Sequence, residues 1–383
     1  MPHKNSKTPQ CFITQDESAQ YFEVGYSCDN AILLRLGSEK IFITDGRYTT
    51  EARENLAQGV ELVQSNSLLE SAIEILSNNA IKSLSFDSLQ LSVQAFHTLQ
   101  NKLPKLELKA KPNFHQLLRI HKSNEEISLI KESQRLNKQA YKTFSRLIDE
   151  ILNGKNESYK TLFFKDTSNA NNNSKITERE LFTLAKMALE HSGKYDLSFI
   201  PILAINENAA KPHALPSDKE LKNGDLLLFD AGIKYKRYCS DMTRTARADF
   251  TNDMVASATK DALNGFDKQQ FFDDKKLQKI YDTVLKAQEF CIENLRAGMS
   301  GKQVDALARG VIEKEGFGEY FSHSTGHGIG LDIHEQPFIS ARSETIIEDG
   351  MVFSIEPGIY IPQYYGVRIE DLVVVKNGRA WVL

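Results

Sequence analysis

The stretch DLLLFDAGIKYKRYCSDMTRTA (225–246) reads as β-strands around a turn, with Asp230 closing an apolar run and Asp241 lying across the turn. A second β-rich stretch, MVFSIEPGIYIPQYYGVRIEDLVVV (351–375), repeats the pattern with Glu356 and Glu370. Taken singly, each acid reads equally well as a strand-end group facing water. Together they need compensation, because a carboxylate buried alone is costly and is normally paired with a cation or bound to metal. Oxygen donors favour a hard or borderline divalent ion. A third stretch, HSTGHGIGLDIHEQP (323–337), adds His323, His327 and His334, with Gly326, Gly328 and Gly330 allowing close backbone approach. His323 and His327 are four apart, yet the repeated glycines exclude an ordinary amphipathic helix.

Around these stretches the chain alternates helix and strand signals. AILLRLGSEKIFITD (31–45) is two apolar runs about a Gly37-Ser38 turn, a hairpin signal. ESAIEILSNNAI (70–81) and the stretch after Asp87 have helical apolar spacing, and SLSFD between them reads as a short buried strand. Ser123 with Glu126 forms a capping box ahead of a long helix, and Thr177 with Glu180 caps another helix that the spacing ends at Gly193. KLQKIYDTVLKAQEFCIENLRAG (276–298) is amphipathic. Polar inserts at 155–176 and 251–276 read as surface loops or an oligomer contact. The mixed segment KAKPNFHQLLRIHKS places a boundary near 115–122, dividing the chain into 1–118, a small α/β unit, and 119–383, a larger α+β unit. No self-similar period points to a solenoid.

Composition narrows the function. The chain has 383 residues, which at roughly 100–200 residues per domain suggests two or three domains. Hydrophobic residues at 41% and charged residues at 26% exclude bulk disorder. The 47 basic and 51 acidic residues leave a formal charge of −4, so no basic field attracts nucleic acid or an anionic membrane surface. Cys11, Cys28, Cys239 and Cys291 show neither CxxC pairing nor zinc-finger spacing and read as reduced thiols. The polar start MPHKNSKTPQ lacks a signal-peptide core, and no apolar run reaches membrane-spanning length. The expected location is the cytoplasm.

DAGIKYKRYCSDMTRT, HSTGHGIGLDIHEQP, SIEPGIY and GVRIEDLVVV, in that order, resemble the pita-bread metallopeptidases, in particular the Xaa-Pro branch containing aminopeptidase P and prolidase. YFEVGYSCDNAILLRLG with IFITDGRYTTEA looks like that branch's N-terminal creatinase-type domain. The resemblance spans most of the chain and implies a creatinase-type α/β domain followed by a pita-bread domain. It makes Asp230, Asp241, His327, Glu356 and Glu370 metal ligands, with Asp241 and Glu370 bridging two divalent ions. Such a site lowers the pKa of a bridging water and yields a hydroxide nucleophile near neutral pH. Glu356 becomes the general base and acid. One histidine among several carboxylates suits Mn, with Co, Fe or Zn as alternatives.

By the same resemblance His213, His323 and His334 bind the scissile carbonyl and stabilise the oxyanion. Arg368, two residues before Glu370 on an extended strand, is expected to hold that carboxylate, or to make a purely structural ion pair. Tyr238 and Tyr360 are placed either as walls for the proline ring or in the core. Two features depart from the family pattern: SFIPILAINENAAKPHA stands where relatives have a glycine-rich run, and the insert at 251–276 lengthens the interval between Asp241 and His327. The implied activity is removal of the residue preceding proline at a peptide N-terminus, with the Xaa-Pro dipeptidase as the alternative. An inactive pita-bread binding module and a metal-free creatinase-like amidinohydrolase fit less well, because every ligand position is filled. Relatives commonly form dimers or tetramers, so a homo-oligomer is expected.

Overall fold

The computed structural model describes residues 11–153, 176–249, 263 and 265–383. The chain divides into two compact units, Met1–Arg119 and Ile120–Leu383. Among the described residues no helix is long and apolar enough to cross a membrane.

The first unit is built on strands β1 (Cys11–Thr14), β2 (Ala31–Leu36), β3 (Glu39–Thr44), β4 (Val60–Gln64), β5 (Ser83–Phe86) and β6 (Glu107–Ala110). They form one sheet in the order β4-β3-β2-β1-β5-β6. The expected hairpin is β2–β3, closed at Gly37, whose φ of +67° suits a residue without Cβ. Its helices are α1 (Glu17–Val24), α2 (Thr49–Asn55), α3 (Leu68–Asn78), α4 (Val93–Lys102) and α5 (Phe114–Leu118). Alternation along the strands feeds two cores, since Ile13, Ile32, Leu34 and Ile43 pack on one face while Phe12, Leu33 and Phe42 pack on the other. This is the α/β unit expected.

The second unit is α+β. Its strands are β7 (Asp196–Leu197), β8 (Ile202–Ile205), β9 (Leu226–Ala231), β10 (Ile233–Tyr235), β11 (Tyr238–Cys239), β12 (Met242–Arg247), β13 (Gly326–Gly328), β14 (Glu335–Ile339), β15 (Val352–Ile355), β16 (Gly358–Tyr360), β17 (Gly366–Arg368), β18 (Asp371–Lys376) and β19 (Arg379–Val382). Its principal helices are α6 (Asn124–Leu152), α7 (Glu178–Glu190), α8 (Lys275–Asn294) and α9 (Gly301–Lys314). The antiparallel sheets β12-β9-β8 and β14-β13-β15-β18-β19 carry most of the site. Helices α6 and α7 cover one core and α8 and α9 another. Strand β9 serves both, sending Leu226 and Leu228 to the second and Leu227 and Phe229 to the first, which is why it reads as an unbroken apolar run.

Both expected capping boxes form, at Ser123–Glu126 and Thr177–Glu180. Helix α7 stops at Glu190 rather than Gly193, because His191, Ser192 and Gly193 all take positive φ. Most of the two polar inserts lies outside the described residues. The described end of the second is not a solvated loop: Leu263 and Phe266 are buried, and the Phe266 ring packs on Tyr141, Phe144 and Phe229. Two apolar anchors were hidden there by the polar composition around them.

Candidate metal centre

Strand geometry delivers the acids to one place. Asp230 lies in β9, paired across the ladder with Thr243 of β12 and Ile202 of β8. The other three sit one residue outside a strand: Asp241 before β12, Glu356 after β15 and Glu370 before β18. His327 is the centre of β13, whose register shifts between His327 and Gly328. Its flanking glycines are required, since a Cβ on Gly326 would fall 1.9 Å from the Ser354 carbonyl oxygen and one on Gly328 2.2 Å from that of Gln336. Ligand atoms of Asp241, His327 and Glu370 all lie within 4.8 Å of one another.

The electrostatics of this cluster are those of a charge deficit. The His327 ring stands with Nδ1 3.1 Å from the Gly328 carbonyl oxygen, an arrangement in which Nδ1–H donates and the Nε2 lone pair is free. That lone pair faces Asp241 Oδ2 at 3.6 Å and Glu356 Oε1 at 3.4 Å. Burial holds the imidazole below its ordinary pKa. Burial, with the Glu370, Asp230 and Glu356 charges, pushes the Asp241 carboxyl well above the usual carboxylate range, and burial with Glu356 and Asp230 does the same to Glu370. Burial lifts Glu356 to about 8, opposed by Arg368 and assisted by Asp230. Asp230 Oδ1, Asp241 Oδ1 and Glu370 Oε1 are buried without a hydrogen-bond partner among the described residues. Bare acceptors facing one another are what divalent cations neutralise, so the donor set fits such ions.

Of the two roles expected for Arg368, holding Glu370 or making another ion pair, the structure shows an ion pair to Asp230. Its Nη2 donates to Asp230 Oδ2 at 2.6 Å, and it makes no direct bond to Glu370. Instead Nε donates to Thr243 Oγ1 at 3.1 Å, and that hydroxyl donates to Glu370 Oε2 at 2.7 Å. The i, i+2 argument fails because β17 ends at Arg368 and the chain leaves the strand before Glu370. Thr243 is thus a site residue that sequence reasoning missed; the one available signal was its position two residues after Asp241.

Tyr360 is not a cavity wall either. Arg368 Nη1 donates to its hydroxyl at 2.6 Å, and the hydroxyl lies 2.9 Å from His323 Nε2. With His323 Nδ1 2.8 Å from the Ser324 carbonyl, both ring nitrogens are engaged, so His323 orients Tyr360 and presents no free N–H to a substrate. Burial, with the Arg368 charge adding, pulls the His323 pKa down to about 4. Tyr238 lies away from the site, its hydroxyl donating to Glu126 Oε1 at 3.0 Å.

The cluster opens into a cavity of about 530 Å³ walled by Asp230, Asp241, His327, Glu356, Arg368 and Glu370 at its base. His213, His323 and His334 line it too, together with Phe182, Phe199, Ile200, Leu215, Ile333 and Phe338. The His334 ring sits edge-on to His327 at 4.3 Å, and burial, then the His327 charge, lowers its pKa to about 4. All the residues singled out in the sequence as ligands, substrate histidines and arginine therefore meet in one cavity.

Comparison with known proteins identifies the family. Residues 128–377 match the model of metallopeptidase family M24, and residues 4–121 match that of the creatinase/prolidase N-terminal domain. The chain is 32% identical over 369 residues to the uncharacterized peptidase YqhT of Bacillus subtilis, covering 96% of this chain and 91% of that protein. Among solved structures it resembles an Xaa-Pro dipeptidase from Bacillus anthracis, with TM-score 0.79, 29% identity and coverage of 97% and 92% of the two chains. It also resembles an X-Pro aminopeptidase from Thermotoga maritima, with TM-score 0.77, 25% identity and coverage of 97% and 94%. With its creatinase-type N-terminal unit and pita-bread C-terminal unit, the chain belongs to metallopeptidase family M24.

Proposed function

We propose that the chain is a dinuclear metal-dependent Xaa-Pro aminopeptidase, hydrolysing the bond before a proline at the second position of a peptide. The observation that carries the choice of aminopeptidase is the cavity wall. A strict dipeptidase needs a cation to capture the proline carboxylate, and the only Lys or Arg among the described lining residues is Arg368. Its guanidinium is buried and committed to Asp230, Tyr360 and Thr243. His323 and His334 both have lowered pKa values and supply no fixed positive charge. The outer wall is apolar, with Ile200 78% and Leu215 81% exposed, a surface compatible with a chain continuing past the proline.

Asp230, Asp241, His327, Glu356 and Glu370 would hold the metal ions. Bound divalent cations supply positive charge to the reacting carbonyl and activate water near neutral pH. Glu356, partly buried and accepting a Ser354 hydrogen bond at 3.1 Å, is the group to take a proton from the attacking water and return it to the departing proline nitrogen. An amide nitrogen departs only as the protonated amine, so this proton delivery is essential to its departure. His334 and His213 stand on the wall to hydrogen-bond the carbonyl oxygen as charge develops there. One imidazole among carboxylates favours manganese, and unpaired Cys11, Cys28, Cys239 and Cys291 favour the cytoplasm.

Comparing an Xaa-Pro free acid with its C-terminal amide tests the assignment. The open wall predicts that the amide is cleaved with a kcat/KM at least equal to that of the acid. The dipeptidase reading, which the name of the Bacillus anthracis neighbour favours, predicts strong preference for the free carboxylate.

A further inference from the structure

One buried carboxylate outside the metal cluster is not used by the chemistry above. Glu178, the first residue of α7, is completely buried. Its oxygens accept hydrogen bonds from Ile205 N at 2.6 Å, from Asn208 Nδ2 at 2.9 Å and from Ser217 N. The helix does not need this side chain for capping, because Thr177 and Glu180 already form a complete box. Hydrogen bonds to a carboxylate are roughly twice as strong as neutral ones, and an interior carboxylate is retained only where such donors converge.

The three donors bracket one loop. Ile205 is the last residue of β8 and Ser217 follows Pro216, so both ends of the 206–216 segment are tied to the same carboxylate. Within the loop Asn208 Nδ2 also donates to the Leu215 carbonyl at 3.0 Å. On its far side Arg368 Nη1 donates to the Pro212 carbonyl at 3.3 Å, and Gly366 of β17 is pressed so closely that a Cβ would fall 1.8 Å from the Ala209 carbonyl oxygen. The loop presents Pro212, His213, Ala214, Leu215 and Pro216 to the cavity. It is gripped between Glu178 and the Arg368 strand, with His213 between the two grips.

We infer that Glu178 is a positioning residue for the peptidase: its carboxylate closes the 205–217 loop and so sets where His213 stands in the cavity. This rests on the reading above in which His213 faces the substrate.

The test uses the full-length, manganese-loaded protein and its variants Glu178→Gln, Asn208→Ala, His213→Ala and the double variant Glu178→Gln/His213→Ala, assayed on an Xaa-Pro-Yaa tripeptide. Glu178→Gln is expected to lower kcat/KM by about ten-fold or more, the usual cost of removing an outer-layer support, with bound metal per chain unchanged. In the His213→Ala background the same substitution should cost much less, since the group it positions is gone. Asn208→Ala, which removes one donor and leaves the carboxylate in place, should act in the same direction more weakly and serves if Glu178→Gln does not fold. A second readout needs no activity: in the chelator-treated protein, the His213 ring resonance, assigned by its loss in His213→Ala, should shift or broaden in Glu178→Gln. Wild-type kcat/KM in Glu178→Gln, equal fold-losses in both backgrounds, or an unmoved His213 resonance would overturn the inference. Should the wild-type protein cleave no Xaa-Pro peptide, the functional reading fails, while the resonance still decides the role of Glu178.

Discussion

Glu356 and Asp241 share a cavity but differ in what their replacement should remove. Glu356 touches Ser354 and faces His327, whereas Asp241 lies inside the tight trio with His327 and Glu370. Glu356→Gln should retain most bound metal and lose roughly 10²–10⁴-fold in kcat, the range for a general acid–base group. Asp241→Asn should lose metal as well, measured by elemental analysis beside the rate; wild-type activity in either variant would contradict the assignment. At this scale the acids and histidines were legible because a charged or imidazole group in an apolar or glycine-rich run is chemically conspicuous. Thr243 was not, since threonine is an ordinary strand residue and its bond to Glu370 joins positions far apart in sequence. The partner of Arg368 was not legible either, because facing by alternation holds only while the chain stays extended.

Elements position these residues through buried polar pairs that local sequence does not reveal. Lys122, just ahead of α6, donates to Glu335 Oε1 at 2.6 Å with both side chains buried. Glu335 follows His334 directly and opens β14, so the pair ties the histidine-bearing segment to the start of the long helix. Lys122→Met would remove the cation from a buried carboxylate and should cost about 3–5 kcal/mol in unfolding free energy, and adding Glu335→Gln should recover part of it. A denaturation midpoint unchanged by Lys122→Met would show the pair to be idle. Helix starts at Ser123 and Thr177 were readable because a capping box is completed within four residues. The burial of Phe266 was not, since its partners Tyr141, Phe144 and Phe229 come from α6 and β9.

At the scale of the whole molecule, the first of the two units carries a pH-sensitive group in its core. In the first unit the His115 ring is buried against Phe12 and Phe114, with neither nitrogen hydrogen-bonded among the described residues. Burial, then the Arg119 charge, lowers its pKa to about 3. A base whose folded pKa lies below its unfolded value of about 6.5 is stabilising above that value, and the contribution is lost as pH falls toward 3. This group alone should remove about 2 kcal/mol by pH 5. His115→Leu should flatten the decline in melting temperature between pH 7.5 and 5; an identical slope in the variant would refute the assignment.

The division into a creatinase-type unit and a catalytic unit was readable from the ordered motifs, whereas the chemistry of the cavity wall required the positions of Ile200, Leu215 and Arg368 in space. The most direct test is hydrolysis of an Xaa-Pro-Yaa tripeptide by chelator-stripped protein before and after manganese is restored. Cleavage of the Xaa-Pro bond that appears only with the metal is the expected result. Cleavage that is indifferent to the metal, or absent in its presence, would contradict a metal-dependent Xaa-Pro aminopeptidase.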